Sequence, residues 1–123
     1  MIDPYKGLPR RIQIGYLTFR VHIVSRDEAK DKLPADHFGM CHFEIGPSIY
    51  LLRDLNPQIA FNTVLHEVRH AIHYANELND ESSEEDFVTR GTNGEVELWI
   101  RNPRFYTWQT RMLRQLRRDD RDA

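Results

Sequence analysis

The stretch NPQIAFNTVLHEVRHAIHYANEL, from Asn56 to Leu78, carries the clearest helical pattern of this chain. Asn56 is a favoured N-cap residue and Pro57 a favoured first helical residue, so a helix is predicted to begin there. Apolar residues then recur at spacings of three and four, as they do on the buried face of a helix. These residues are Phe61, Val64, Leu65, Val68, Ile72 and Ala75. The pattern predicts one helix over about residues 57–78 with a single buried stripe.

Two further helices are predicted after the break NDES. Ser82, followed three residues later by Glu85, forms a capping-box pattern that predicts a second helix over about residues 83–101. Asn102 and Pro103 end that helix, and RFYTWQTRMLRQLRR predicts a third over about residues 103–118. The apolar positions of this third helix are Phe105, Trp108, Met112 and Leu116. The final residues, DDRDA, are expected to fray.

The residues before the first helix, about 10–55, predict strands. Arg11 to Val24 alternates apolar with other residues and is interrupted around Gly15 to Thr18, which indicates a hairpin or one bent strand with a bulge. The charged connector DEAKDKLPAD allows a helical turn, and Phe38 to Leu55 predicts a second hairpin with Gly46-Pro47 in its turn. Strands followed by helices predict one α+β domain over residues 1–123, with a small antiparallel sheet of two hairpins and three helices.

Composition narrows the class of protein that we expect. The 123 residues include 17 basic and 19 acidic side chains, so a net charge of −2 predicts neither nucleic acid nor an anionic membrane as a partner. No apolar run reaches the roughly 20 residues that a membrane span needs, and the first residues lack the apolar centre of a signal peptide. Cys41 is the single cysteine, which fits a reducing compartment. We therefore expect a cytoplasmic protein.

The first helix contains the HExxH pattern in His66, Glu67 and His70. Residues four apart lie one turn apart on the same helix face, so both imidazoles can reach one Zn²⁺. Glu67 is rotated by about 100° from His66, too far to compete as a ligand but near enough to act as general base toward a water that zinc activates. Because the histidines lie opposite the apolar stripe, they are expected to face a cleft. The pattern predicts a zinc-dependent hydrolase of peptide bonds.

Catalytic zinc normally takes a third protein ligand, which the sequence places in the next helix. Glu85 is the favoured candidate, because it precedes the stripe Val88, Thr92, Val96 and Trp99 and is therefore expected to point to the buried side. The remaining candidates are Glu84, Asp86, Glu95 and Glu97. A role as an ordinary capping residue is the alternative for Glu85. Gly91 and Gly94 oppose helix formation, which indicates either close approach to the histidine helix or a kink.

Other polar residues give weaker signals. His73 lies about 10 Å along the helix axis from His66 and is expected to line the cleft, to support the ligands or simply to be exposed, not to bind zinc. His37, Cys41 and His42 lack the second cysteine pair of a separate zinc site. Tyr74 and Tyr106 are candidates to stabilise an oxyanion, although packing roles are favoured for both.

With these motifs in place, the chain resembles zincin-type metallopeptidases, and in particular the small zincin-like proteins of bacteriophages and prophages, in the style of the ImmA/IrrE and SprT-like groups. The resembling stretches are RRIQIGYLTFRV, GMCHFEIGPSIYL, NTVLHEVRHAIHYA and EEDFVTRGTNG. The pair inside the motif, Val68-Arg69, departs from the usual small or apolar residues. The resemblance implies a minimal zincin-like domain that binds one zinc, in the host cytosol if the chain is phage-encoded.

The resemblance also supports Glu85 as third ligand, with Glu84 one position away. It implies that the strand near Ile49 to Arg53 borders the cleft, where an extended peptide could pair. Two other functions stay open. One is a non-catalytic zinc-binding regulatory or protein-interaction domain with the same fold, and the other is a nucleic-acid-associated SprT-like factor, against which the net charge counts.

Overall fold

The computed structural model of the chain describes residues 3–43 and 46–122. Within them lie four strands and four helices in the order β1, β2, α1, β3, β4, α2, α3, α4. The strands are β1 (Arg11–Ile14), β2 (Leu17–Val24), β3 (Gly39–His42) and β4 (Ser48–Leu52). The helices are α1 (Arg26–Lys32), α2 (Pro57–Ala75), α3 (Glu84–Arg101) and α4 (Pro103–Asp122). The predicted α+β class is confirmed, with α1 as an additional short helix in the charged connector.

The four strands form one sheet in the order β1-β2-β4-β3. Both predicted hairpins are present, since β1 pairs antiparallel with β2 and β3 pairs antiparallel with β4. Gly15 turns the first hairpin at φ 61°, a backbone conformation that glycine adopts without strain. The expectation of a wholly antiparallel sheet is wrong, because β2 and β4 lie parallel in the centre. The connection through α1 and β3 returns the chain in the same direction, as a parallel pair requires.

One face of the sheet carries the core. Ile12, Phe19, Val21, Ile49 and Leu51 alternate along their strands and are buried on this face, which we call the inner face. Helix α2 lies against it with the apolar stripe that the sequence predicts. Helix α4 adds Phe105, Trp108 and Met112 to the same core.

The start of α2 is confirmed and that of α3 is corrected. Asn56 caps α2 by accepting a hydrogen bond from Ile59 N at 2.9 Å. For α3 the predicted box of Ser82 with Glu85 is wrong, because Ser83 is the N-cap and forms a reciprocal box with Asp86. The helix therefore begins at Glu84, one residue later than the predicted cap at Ser82 implies.

The predicted buried stripe of α3 is also wrong. Val88, Val96 and Trp99 are 56 %, 46 % and 39 % exposed, whereas the buried residues of this helix are Gly91, Gly94 and Leu98. A Cβ added at Gly94 would lie 2.7 Å from Ile72 Cγ2, so glycine here lets α3 approach the histidine helix closely. At Gly91 an added Cβ would meet nothing within 4 Å. Close approach thus explains Gly94 and leaves Gly91 without a packing reason.

The C-terminal helix is longer than predicted. It runs to Asp122, so the expected fraying of the last residues is not seen up to that point. Trp108 Nε1 donates to Pro4 O at 2.9 Å and ties α4 to the start of the chain. Among the described helices, none is both long and apolar enough to cross a membrane.

Candidate metal centre and active site

The two histidines of the HExxH pattern lie side by side on the exposed face of α2. His66 Nε2 and His70 Nε2 are 3.1 Å apart, and the ring centroids are separated by 4.8 Å. Both side chains are exposed, opposite the stripe that packs on the sheet. The two imidazoles thus lie on the same face of α2, as the one-turn spacing predicts, and their Nε2 atoms are within hydrogen-bonding distance of each other.

Glu67 faces β3, away from the exposed face that carries the two histidines, and its side chain is only 6 % exposed. It contacts β3, where a Cβ added to Gly39 would lie 3.0 Å from Glu67 Cγ and 2.9 Å from Thr63 Cγ2. Burial raises the pKa of the Glu67 carboxyl, and the nearby charges of His66, His70 and His37 oppose that rise. A carboxyl placed in this way is held close to the histidines yet is poised to take up a proton.

A cavity of about 240 Å³ opens beside this carboxyl. Its walls come from the loop before β3 and from the middle of α2. The residues that line it are Asp36, His37, Phe38, Gly39, Asn62, Thr63, His66 and Glu67. The candidate general base and one candidate zinc ligand thus share a cavity open to solvent.

The histidine pair fits zinc. Two nitrogens bound at about 2.0–2.1 Å to a tetrahedral ion are about 3.3 Å apart, close to the observed 3.1 Å between the Nε2 atoms. A third ligand is not in place, since in residues 3–43 and 46–122 no three His, Cys, Asp or Glu side chains form a group that could hold a metal ion. The described residues therefore bring together two candidate ligands without a third beside them.

The five acidic candidates for the third ligand are engaged elsewhere or exposed. Glu85 is exposed and accepts a hydrogen bond from Thr89 Oγ1 at 3.1 Å, so the expectation that it points to the buried side is wrong. Its position follows from the cap at Ser83 and from the exposure of the stripe behind it. Glu84 is likewise exposed.

The other three candidates have partners. Asp86 closes the capping box of α3, and Glu97 accepts from Gly15 N at 2.9 Å. Glu95 forms an ion pair with Arg69, the cation inside the HExxH motif, at 3.3 Å. The ion pair occupies Arg69 on the side of α3, which explains how a cation is accommodated beside the histidines.

The side chain of His73, near the end of α2, contacts the start of α3. Its ring meets Phe87 edge-on with centroids 5.3 Å apart, and its half-buried position lowers its pKa, mainly through burial and then through Arg69 and His70. The expected supporting role is compatible with this position. The contact also brings the first turn of α3 against the histidine helix, two residues from Glu85.

The strand that borders the cleft is β3. Strand β4, which the resemblance implied, pairs with β2 on one side and with β3 on the other, so its backbone is already in use. Strand β3 lies at the edge of the described sheet, and its first residue Gly39 lines the cavity. The expectation for Ile49 to Arg53 is therefore corrected to Gly39–His42.

His37, which the sequence analysis considered only for a separate zinc site and set aside, lines the cavity beside Glu67. Its Nδ1 lies 3.0 Å from Ala35 O, which favours a proton on Nδ1 and leaves Nε2 with a lone pair. Asp36, with φ 63°, turns the chain into the cavity wall. The one sequence signal was a histidine in a Pro- and Asp-containing loop, and such a loop has no periodicity that could fix its direction.

Three further residues are placed outside the proposed chemistry. Cys41 is half-buried, and burial together with the charge of Glu67 raises the pKa of its thiol to about 12. Tyr74 stacks on Phe43 with centroids 4.2 Å apart, and Tyr106 packs on Trp99 at 6.4 Å. Neither tyrosine lines the cavity beside Glu67.

Comparison of the chain with protein-family models, with curated proteins and with solved structures finds no match.

Proposed function

We propose that the protein is a zinc-dependent hydrolase of the HExxH type that cleaves a peptide bond. The observation that carries the proposal is the convergence of His66 Nε2 and His70 Nε2 to 3.1 Å beside a buried Glu67 carboxyl. A polar helix face needs neither a close approach of two imidazoles nor a carboxyl desolvated at their side. The resemblance of the sequence to small zincin-like proteins supports the same conclusion.

Each residue has a distinct role in this proposal. His66 and His70 hold the ion, which when bound would polarise a substrate carbonyl and help water act as nucleophile near neutral pH. Glu67 takes the proton from the attacking water and passes it to the leaving amine. Its burial raises its pKa and so makes it a better base than an exposed carboxylate.

Glu85 is proposed as the third ligand. It lies in the exposed first turn of α3, where its side chain is free to change rotamer, and Phe87 of the same turn already contacts His73 of α2. Glu84 is the alternative, one position away and equally exposed. Comparing variants at the two positions decides between them.

The edge strand β3 is the proposed place for an extended peptide. Its inner side packs against α2 at the level of Glu67, and its outer edge carries backbone groups that a peptide strand could pair with. A peptide paired there would run past the cavity of about 240 Å³ beside Glu67. The small cavity favours a short or selectively recognised segment.

A non-catalytic zinc-binding interaction domain is the second candidate. The exposed apolar residues of α3 favour it, because Val88, Val96, Trp99 and Ile100 present apolar surface that a partner protein could bury. In that case Glu67 has no chemical role. The two functions therefore diverge on Glu67.

Metal content is the first test. The full chain, purified without a His-tag, is analysed by plasma mass spectrometry beside His70→Ala, Glu85→Ala and Glu84→Ala. His42→Ala is the matched control, because it removes the same side chain from β3 on the face of the sheet that is turned away from α2. We expect one zinc per chain in the parent and in His42→Ala, and loss of zinc in His70→Ala and Glu85→Ala.

The absence of zinc from the parent protein, even after zinc is added, would overturn the proposal. Where zinc is present, Glu67→Gln separates the two candidate functions. The variant should keep the metal and the melting temperature, and it should lose about a hundredfold or more of the turnover of a peptide library. No turnover by either zinc-bound protein would favour the interaction domain, and equal turnover by both would overturn the role of Glu67 as general base.

A further inference from the structure

A second polar site lies at the opposite end of the sheet from the proposed zinc ligands. A cavity of about 630 Å³ opens where β1 meets the junction of α3 and α4. Arg10, Arg11, Arg101 and Arg104 line it, and none of the described residues in its wall is acidic. We call it the arginine groove. Four cations in one groove repel each other unless an anion binds there.

Two of these guanidinium groups are held in place by the backbone. Arg101 Nη1 donates to Gly15 O at 2.6 Å, and its Nη2 donates to Gln13 Oε1 at 2.7 Å. Arg10 Nη1 donates to Leu8 O at 3.1 Å. Among the described residues, Glu97 is the one carboxylate within 4 Å of these guanidinium groups; it lies 3.8 Å from Arg101 Nη1 and accepts a hydrogen bond from Gly15 N. Positioned cations with little compensation favour a ligand of high negative charge.

The groove continues onto the outer face of the sheet, which is the face turned away from α2. Three residues belong both to the arginine groove and to the outer face of the sheet, because they point outward from β1 and β2 and also line the groove. They are Arg11, Gln13 and Thr18. Arg11 lies directly opposite Arg20 of the neighbouring strand. Like charges opposite each other destabilise a sheet, so this pair also favours a bound anion.

An aromatic row follows the arginines on the same outer face. His22 stacks on Tyr50 with ring centroids 4.8 Å apart, and His42 meets the edge of Tyr50 at 5.5 Å. The register places Arg11, Arg20, Ser48 and His42 in one row across all four strands. The row crosses three interstrand spacings, about 14 Å in all. Cations thus stand at one end of the face and aromatic rings at the other.

We propose that this surface binds single-stranded nucleic acid, with phosphates in the arginine groove and bases over the aromatic row. Arginine forks match phosphate oxygens, and histidine and tyrosine rings stack on unpaired bases. An isolated phosphate would use the groove alone, and an acidic peptide would not stack. A duplex would keep its bases out of reach. The site is separate from the proposed zinc site and does not rest on it.

The net charge of −2 argued against such a partner only as an average. Six of the acidic residues fall between Glu77 and Asp86, whereas folding brings four arginines together where β1 meets the α3–α4 junction. Local potential, not net charge, decides whether a phosphate is attracted at short range.

The test is fluorescence anisotropy of the full chain with a labelled oligothymidylate of about 20 nucleotides, between about 50 and 200 mM salt. We use the variant R11A/R104A, because neither guanidinium is bonded to another described side chain and the fold should tolerate its loss. The matched control, R90A/R114A, removes two arginines from α3 and α4 outside the groove. Circular dichroism shows whether each variant is folded.

For R11A/R104A we expect Kd to rise about tenfold or more. We also expect the slope of log Kobs against log salt to fall by about 1.4, since each phosphate contact in a single strand contributes about 0.7. R90A/R114A should change both much less. H22A/H42A should weaken binding about fivefold or more with little change of slope, because it removes stacking and not phosphate contacts.

Three outcomes would overturn the proposal. The first is no binding by the parent chain at the lowest salt. The second is equal loss in R11A/R104A and in the control, which would mean diffuse attraction. The third is full competition by millimolar inorganic pyrophosphate together with no effect of H22A/H42A, which would identify a small phosphorylated ligand.

Discussion

Replacing Gly94 and Gly91 separately by alanine tests how closely α3 packs on the histidine helix. At Gly94 the new Cβ would lie 2.6 Å from Asn76 Nδ2 and 2.7 Å from Ile72 Cγ2. Asn76 cannot move away freely, because its Nδ2 donates to Ile72 O at 2.8 Å at the end of α2. Ile72 is itself in the core. Gly91, on the same helix, offers open space for the same methyl group.

The expected change in the free energy of unfolding has opposite signs at the two positions. Alanine gains about 0.8–1.0 kcal/mol of helix propensity over glycine at both. At Gly94, overpacking costs about 1–3 kcal/mol and the strained hydrogen bond of Asn76 about 1 kcal/mol more. Gly94→Ala should therefore lower the free energy of unfolding by about 1–3 kcal/mol, whereas Gly91→Ala should raise it by up to about 1 kcal/mol.

Urea unfolding followed by circular dichroism at 222 nm measures both variants. The experiment is done with EDTA present, so that metal binding does not contribute to stability. Stabilisation of similar size in both variants would refute the close packing of α3 on α2. Because α3 also carries Glu85, a displaced helix in Gly94→Ala should weaken zinc binding as well, while Gly91→Ala should not.

Two further predictions concern the cap of α3 and the single cysteine. Ser83→Ala should destabilise the protein by about 1 kcal/mol and Ser82→Ala by much less, because Ser83 is the N-cap. Thermal unfolding measures both variants, and an equal loss of stability would contradict the assignment of the cap. The capping box lowers the pKa of Asp86 below its ordinary value of 3.8. The stability that the Asp86 carboxylate contributes is therefore present above pH 3.8 and is lost as the pH falls through its lower pKa in the folded protein. The stability difference between the parent and Ser83→Ala should accordingly shrink in acid. Cys41, with a thiol pKa raised to about 12, should react with iodoacetamide at pH 8 far more slowly than an unfolded control in urea, and equal rates would contradict its burial.

Much of the candidate site could be predicted from local sequence. The four-residue spacing places His66 and His70 on one face of any α-helix, and Asn56 with Pro57 determines where that helix begins. The neighbours of Glu67 are a different matter. Gly39 and His37 lie about thirty residues earlier in the chain, and only the pairing of β3 with β4 brings them to the cavity.

Local sequence thus predicted the three long helices, the HExxH face and the second hairpin, because turns, caps and periodicity act over a few residues. It left residues 11–24 open between a hairpin and a bent strand, and the structure shows the hairpin. The parallel pairing of β2 with β4 and the position of β3 at the edge are set by the tertiary structure, since these depend on where a connection returns. It also decided which face of α3 is buried. Large apolar residues predicted one face, but the close contact of α3 with α2 needs a small residue at Gly94. The face with Gly94 and Leu98 therefore lies inside, and the apolar stripe with Glu85 lies outside.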